Sequence, residues 1–241
     1  SRGAALLSDY SDEPHHRGLT LYRPEQMQAL ATLTASKGWQ LNVHAIGDAG
    51  NRLILDTFEH QLTAAQRHQL RPRVEHAQTL SPQDIPRFAK LEVIASIQPT
   101  HATSDMNMAE DRLGHERIKG AYAWRSLIGA GALLAGGSDF PVELPNPFFG
   151  LYAAVTRQDR NGQPPGGWYA QQKLTREEAL RLFTIDAAYA AHMEDAVGSL
   201  EPGKWADFIL IDRDYFKAPA DQIDDIRVEA TYVAGRQVAG R

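Results

Sequence analysis

The stretch QLNVHAIGDAGNRLILDTFEH, residues 40–60, decides the fold. Leu41 and Val43 form a short apolar run that ends on His44, and Gly47, Asp48, Ala49 and Gly50 follow before a helical pattern begins. Such a run, bounded by turn residues, reads as a short strand of the parallel kind. The segment from about Ala49 to Glu59 reads as a helix with Asp48 as its N-cap rather than as a ligand. His44 then stands at the carboxyl end of a strand, where α/β barrels and open α/β sheets collect their chemistry. A histidine there can equally be a core residue satisfied by a backbone carbonyl, so His44 alone assigns nothing.

Working outward, the same unit repeats. Before it, residues 23–38 have helical apolar spacing at Met27, Leu30 and Leu33 and stop at Gly38, and WQLNVHA is the strand they lead into. After it, RPRVEHAQTL (71–80) gives a second strand ending at His76. PQDIPRFAKL (82–91) is a helix opened by Ser81-Pro82, and EVIASIQPT (92–100) is a third strand ending near Gln98 and Pro99. A long loop is expected next, then a helix from about His115 to Gly129 with Trp124, Leu127 and Ile128 buried. A fourth strand in ALLAGGSDFPVELPNP (132–147) ends at Ser138-Asp139. Strands alternating with helices favour a parallel α/β fold.

Beyond residue 150 the pattern changes to a helical stretch and a Gly/Pro-rich surface loop, RQDRNGQPPGGWYAQQ (157–172). LTREEALRLFTIDAAYAAHM (174–193) reads as one capped helix, with Thr175 as N-cap and Glu178 as its capping-box partner. GSLEPGKWADFILIDRD (198–214) and VEATYVAGRQV (228–238) carry β-type runs joined by turns, which predicts a small β-module from about Val197 with Phe208, Ile209, Leu210 and Ile211 buried.

Composition narrows the function. The chain has 241 residues, 43% hydrophobic and 23% charged, with a formal net charge of −5. That is enough chain for a substantial core, and its charge gives no electrostatic case for nucleic acid or an anionic membrane. No apolar run approaches the ~20 residues of a membrane span, and the first residues lack a signal peptide's pattern, so a cytoplasmic location is the expectation. The absence of cysteine removes disulfides, thiolate metal sites and a cysteine nucleophile, so any metal must be held by nitrogen and oxygen. Small-molecule substrates remain open.

His44, His76 and Asp139 each close a predicted strand. Parallel strands bring such ends to one face, and two imidazoles with a carboxylate make a partial ligand set for zinc or another divalent transition metal. Three unrelated strand-end residues are the alternative.

These residues lie in motifs that resemble the amidohydrolase superfamily of metal-dependent hydrolases, within it the group called amidohydrolase family 3 or YtcJ-like. The resemblance is carried by NVHAIGDAGNRLILD, RVEHAQTL, YAWRSLIGAGALLAGGSDFPVELPNPF and AVGSLEPGKWADFILID, which occur in the family's order over nearly the whole chain. It implies a TIM-type β/α barrel with a small β-sandwich: residues 1–196 as a barrel portion equivalent to strands five to eight, and 197–241 as a sandwich portion. His44 resembles the histidine of the fifth strand, His76 that of the sixth and Asp139 the aspartate of the eighth. The implied cofactor is a divalent metal, zinc first, as one or two ions held by His44, His76 and Asp139. The implied activity is hydrolysis of non-peptide carbon–nitrogen bonds such as amides or cyclic amides by a metal-activated water. Asp139 moves the proton, and His76 holds a second metal or the attacking water and oxyanion. His101 and Asp105, in the segment after the third strand, are candidates for substrate contact, with a solvated loop as the alternative.

The family's His-x-His pair of the first strand and its fourth-strand lysine have no counterpart here. The chain therefore reads as the C-terminal half of a barrel. Either a second chain completes it, or the sequence is truncated, or the half has become a domain of its own. Association with itself or another chain, and little activity of it alone, are the expectation. A catalytically silent half-barrel subunit, or an esterase or phosphoesterase of the same superfamily, are the alternatives.

Overall fold

The computed structural model describes residues 3–240. Along the chain, α1 (Pro24–Ser36) leads into β1 (Asn42–Ala45), α2 (Asp48–Gln61) and α3 (Ala64–Leu70) into β2 (Arg73–His76), and α4 (Ile85–Lys90) into β3 (Ile94–Ile97). Three helices, α5 (Pro99–Asp105), α6 (Ala109–Arg117) and α7 (Trp124–Gly129), precede β4 (Leu134–Gly136). Then come α8 (Pro147–Thr156), α9 (Arg176–Leu182), α10 (Ile185–Ala190), β5 (Phe208–Ile211), β6 (Val228–Val233) and β7 (Arg236–Gly240). The first four strands lie in one sheet in chain order, with β1–β2 and β2–β3 parallel. Parallel neighbours in chain order, each reached through helices, are the arrangement of part of a TIM-type barrel. The last three strands form a separate antiparallel sheet. No described helix is long and apolar enough to cross a membrane.

The chain divides into two compact units: residues up to Ile97 with Asp105–Leu134, and Gln98–Ser104 with the residues from Ala135 onward. In the first, Val74, Ile94, Ala95 and Ile97 of the strands are buried, as are Leu55 and Phe58 of α2, Phe88 of α4 and Leu127 of α7. The buried face of α2 is spaced as a helix requires: Asn51, Ile54, Leu55 and Phe58. Phe58 is fully buried, which contributes roughly 1.5–3 kcal/mol. Helices α2 and α4 are also tied electrostatically. Asp84 is buried and accepts from both Arg52 (2.8 Å) and Arg87 (3.0 Å), while Arg87 also reaches Asp56 and Glu59 at 2.7 Å each.

Gly47 explains the turn in the decisive stretch. A Cβ there would lie 2.0 Å from the Ala5 carbonyl oxygen, so only glycine lets the segment around Ala5 cross the end of β1. That segment is then held by Ala49 N–H donating to Ala5 O (3.1 Å) and Leu7 N–H donating to Asp48 Oδ1 (2.9 Å). Asp48 is thus not the N-cap expected from the sequence. Gly47 takes that place and Asp48, one residue inside the helix, is buried with its carboxylate spent on Leu7.

In the second unit, Pro147 opens α8 and Asn146 caps it by accepting from Phe148 N–H (3.0 Å). The helix is buried along most of its length through Phe148, Leu151, Tyr152, Ala153 and Ala154. Arg157, left-handed at φ 58°, ends it and donates from Nε to Trp168 O (2.9 Å), folding the Gly/Pro-rich loop back on itself.

Four further expectations are corrected. The segment after β3 is not a loop but the two helices α5 and α6; it is polar and lacks an apolar period, so nothing in the pattern marked it. Leu33, expected on the buried face of α1, is 54% exposed, and the helix buries Met27 and Ala31 instead. The helix read over 174–193 breaks at Thr184 (φ −130°, ψ −104°) into α9 and α10, although Thr175 and Glu178 form the capping box as read. Phe208–Ile211 is a strand as expected, but Ile209 is 42% and Leu210 47% exposed rather than buried. A continuous apolar run implies cover on both faces, and among the described residues β5 belongs to a three-stranded sheet whose β7 is exposed throughout.

Candidate active site

In the first unit the register of β1 on β2 pairs His44 with Glu75 and Ala45 with His76. Paired residues of parallel strands point to the same face, so a regular pleat would set His44 and His76 on opposite faces. Their rings nonetheless meet edge to face, with centroids 4.4 Å apart and planes at 73°. The cause lies in the backbone: His76 has φ 78° and Ala77 φ 43°, so the chain leaves the pleat at His76. Left-handed non-glycine residues cost about 1–2 kcal/mol each, and two in succession persist only where their surroundings over-determine them.

Those surroundings are visible. Thr79 N–H donates to Ile46 O (2.8 Å), Leu80 N–H to Gly120 O (2.9 Å) and Tyr122 N–H to Gln78 O (2.6 Å). Asn51, fully buried on α2, donates from Nδ2 to Ala45 O (3.1 Å), Gly47 O (2.9 Å) and Thr79 O (3.2 Å), joining the ends of both histidine-bearing strands. The Asp105 carboxylate accepts from Gln78 Nε2 (3.0 Å) and from the Tyr122 hydroxyl (2.6 Å). His76 is 9% exposed, whereas His44 is exposed and lines a cavity of about 520 Å³ with Leu19, Leu21, Met27, Leu30 and Val43.

In the second unit Asp139 lies three residues past β4 and is itself left-handed, at φ 58°. His101, on α5, places Nε2 3.8 Å from Asp139 Oδ2, with side-chain exposures of 12% and 40%. That separation is longer than a hydrogen bond.

Sequence reading thus named His44, His76, His101, Asp105 and Asp139, of which His44 meets His76 and His101 meets Asp139. It missed Asn51, Gln78 and Tyr122. A signal existed for the first: a lone amide at the first position of an otherwise apolar i, i+3, i+4, i+7 stripe is a buried polar group needing partners. Two other helical histidines have partners near them in the sequence or on the surface. His60 bonds to the Asp56 carbonyl, and His68 pairs with Glu92 at 2.7 Å.

The profile of the Amidohydrolase family matches residues 1–239. The chain belongs to the Amidohydrolase family. It is 36% identical over 99% of its length to Protein LONG AFTER FAR-RED 3 of Arabidopsis thaliana, covering 40% of that protein. It is 32% identical over 98% of its length to the putative amidohydrolase YtcJ of Bacillus subtilis, covering 44% of it. To the N-substituted formamide deformylase of Arthrobacter pascens it is 28% identical over 91%, covering 40%. Among solved structures, an uncharacterized metal-dependent hydrolase from Pyrococcus horikoshii superposes with a TM-score of 0.79 at 31% identity, over 91% of this chain and 43% of that one. The chain therefore spans about two fifths of the length of the relatives it matches.

Proposed function

We propose that this amidohydrolase chain serves in hydrolysis of a non-peptide carbon–nitrogen bond of a small molecule, an amide, formamide or cyclic amide, with His44, His76 and Asp139 as metal ligands. The observation that carries this reading is the meeting of the His44 and His76 rings at the ends of adjacent parallel strands, bought with a left-handed turn at His76. A cysteine-free chain offers nitrogen and oxygen donors only, and two imidazoles with a carboxylate suit zinc. A bound divalent ion supplies a Lewis acid that polarises the carbonyl and lowers the pKa of water toward ~7.

The chain's own groups do the rest. Asp139, as a carboxylate, accepts the proton of the attacking water and delivers it to the nitrogen that leaves, so that amide and water become carboxylic acid and amine. His101, 3.8 Å from Asp139, faces the same place and is assigned to substrate contact. The turn at His76 sets the direction in which its side chain leaves the backbone. The formamide deformylase among the relatives supports carbon–nitrogen chemistry.

We further assign residues 1–196 to the barrel portion and 197–241 to the sandwich portion, and place the protein in the cytoplasm. A second copy or another chain is assigned to the β1 edge, where among the described residues β1 has β2 as its neighbour. The test is zinc content after purification, followed by hydrolysis of a panel of N-substituted formamides and cyclic amides. In the enzyme completed by the missing half of the barrel, Asp139→Asn is expected to abolish turnover while zinc content falls less, because a neutral amide cannot take the proton. A wild-type chain that binds no zinc, or a D139N variant with full activity, refutes the reading.

A further inference from the structure

We infer that Asp105 is a positioning residue for His76, holding the left-handed turn His76–Ala77 through Gln78 and Tyr122. For its catalytic consequence this rests on His76 being a metal ligand.

The geometry is specific. Gln78 is the first residue after the two left-handed positions, and both its main chain and its side chain are anchored. Its carbonyl accepts from Tyr122 N–H at 2.6 Å, and its amide donates to Asp105 Oδ2 at 3.0 Å. The Tyr122 hydroxyl donates to that same oxygen at 2.6 Å. Gln78 and Tyr122 are 7% and 4% exposed, so water is a poor substitute for the carboxylate at either group. Beyond Gln78 the path is fixed by Leu80 N–H on Gly120 O (2.9 Å). A Cβ at Gly120 would lie 2.0 Å from Leu80 O, so the two segments are in backbone contact. Asp105 thus closes a ring through Gln78 and Tyr122 whose near end is the turn that aims the His76 imidazole. Groups that orient a ligand in this way are commonly as necessary as the ligand itself.

This role is separable from direct use of the Asp105 charge on a substrate. Both donors share Oδ2, and the amide oxygen of Asp105→Asn can accept both while carrying no charge. Positioning therefore predicts that D105N resembles the wild type and D105A does not, whereas a substrate-binding charge predicts that both fail.

The experiment compares wild type, Asp105→Ala, Asp105→Asn and Tyr122→Phe in the full 241-residue chain. It measures zinc affinity by chelator competition and, on metal-free protein, the nitrogen-15 imidazole spectrum of His76 and amide exchange of Thr79 and Leu80. For D105A we expect zinc binding weakened about 10–100-fold, altered His76 resonances and faster exchange at both amides. D105N should stay near the wild type and Y122F should fall between. An unchanged His76 spectrum in D105A, or D105N as damaged as D105A, overturns the inference. If D105A does not fold, Y122F decides: unchanged His76 resonances and amide exchange overturn it. If the wild type binds no zinc, the proposed function fails, while the metal-free measurements still decide the role of Asp105.

Discussion

Replacing Asn51 by leucine, which keeps the branched shape of the side chain but is bulkier, should destabilise the first unit by about 2–4 kcal/mol. Asn51 is fully buried, and its Nδ2 faces the carbonyls of Ala45, Gly47 and Thr79 at 3.1, 2.9 and 3.2 Å. Leucine removes both amide hydrogens. The Gly47 carbonyl retains the main-chain N–H of residue 51 at 2.9 Å, so the loss falls on Ala45 and Thr79. A buried acceptor deprived of its donor costs about 1–3 kcal/mol, and removal of the Asn51 Oδ1, which is buried without a hydrogen-bond donor among the described residues, offsets part of the sum. For a chain of this length the expected fall in Tm is about 5–15 °C. Asn51→Asp is the sharper probe, because it sets carboxylate oxygens against the same three carbonyls in a dry site and should be worse than N51L at neutral pH. Calorimetric or circular-dichroism melts of the three proteins measure both effects. An N51L variant within about 0.5 kcal/mol of wild type, the scatter of an ordinary surface change, or an N51D variant more stable than N51L, would refute the assignment of Asn51 as the clamp between the strand ends.

Asp84→Ala should cost about 2–4 kcal/mol, toward the low end of what breaking a buried pair costs, because Arg87 keeps Asp56 and Glu59 and the Arg52 side chain is 31% exposed. Urea titration of D84A, R52A and the double variant should give a coupling energy of about 1 kcal/mol or more, and strict additivity would show that Arg52 and Asp84 do not interact. Burial raises the Tyr215 phenol to about 12, against the weak opposing influence of Arg176. A folded pKa above the unfolded value of 10.0 means stability fully present below pH 10 and lost as pH rises through about 12. Ultraviolet phenolate titration of wild type against Tyr215→Phe should therefore lose its highest-pH step in the variant. A step lost near pH 10 would contradict the burial.

The strand–helix alternation was legible because burial imposes a period. LNVHA, RVEHA and VIASI announce short strands, and the apolar spacing of Ile54, Leu55 and Phe58 fits the buried face of α2. Helices that owe little to an apolar face were not legible. Residues 99–105, PTHATSD, contain three β-branched or short polar residues in succession, which sequence statistics assign to loops, yet Pro99 at the start and buried Ala102 suffice for α5. Polarity also misled in the other direction. FILI reads as core because nothing in four consecutive apolar residues says how many faces are covered, and cover is a property of the neighbouring layer rather than of the strand.

The site divides along the same physical line. His44, His76 and Asp139 stand out as candidates in the sequence because each reads as the close of a strand, and strand ends are where a parallel sheet exposes side chains to chemistry. What could not be read is how His44 and His76 come to meet. The pairing Ala45↔His76 sets the two histidines out of phase, and a one-residue offset ordinarily sends side chains to opposite faces. The contact depends on two left-handed residues with no glycine or asparagine to announce them, His76 and Ala77. Their conformation is imposed from a distance, by Asn51 on α2, Gly120 and Tyr122 before α7, and Asp105 at the end of α5. Local propensity argues against that turn, so it survives only while those long-range bonds outweigh the strain. The residues that aim the histidines are for that reason scattered over three segments, each unremarkable where it stands in the sequence.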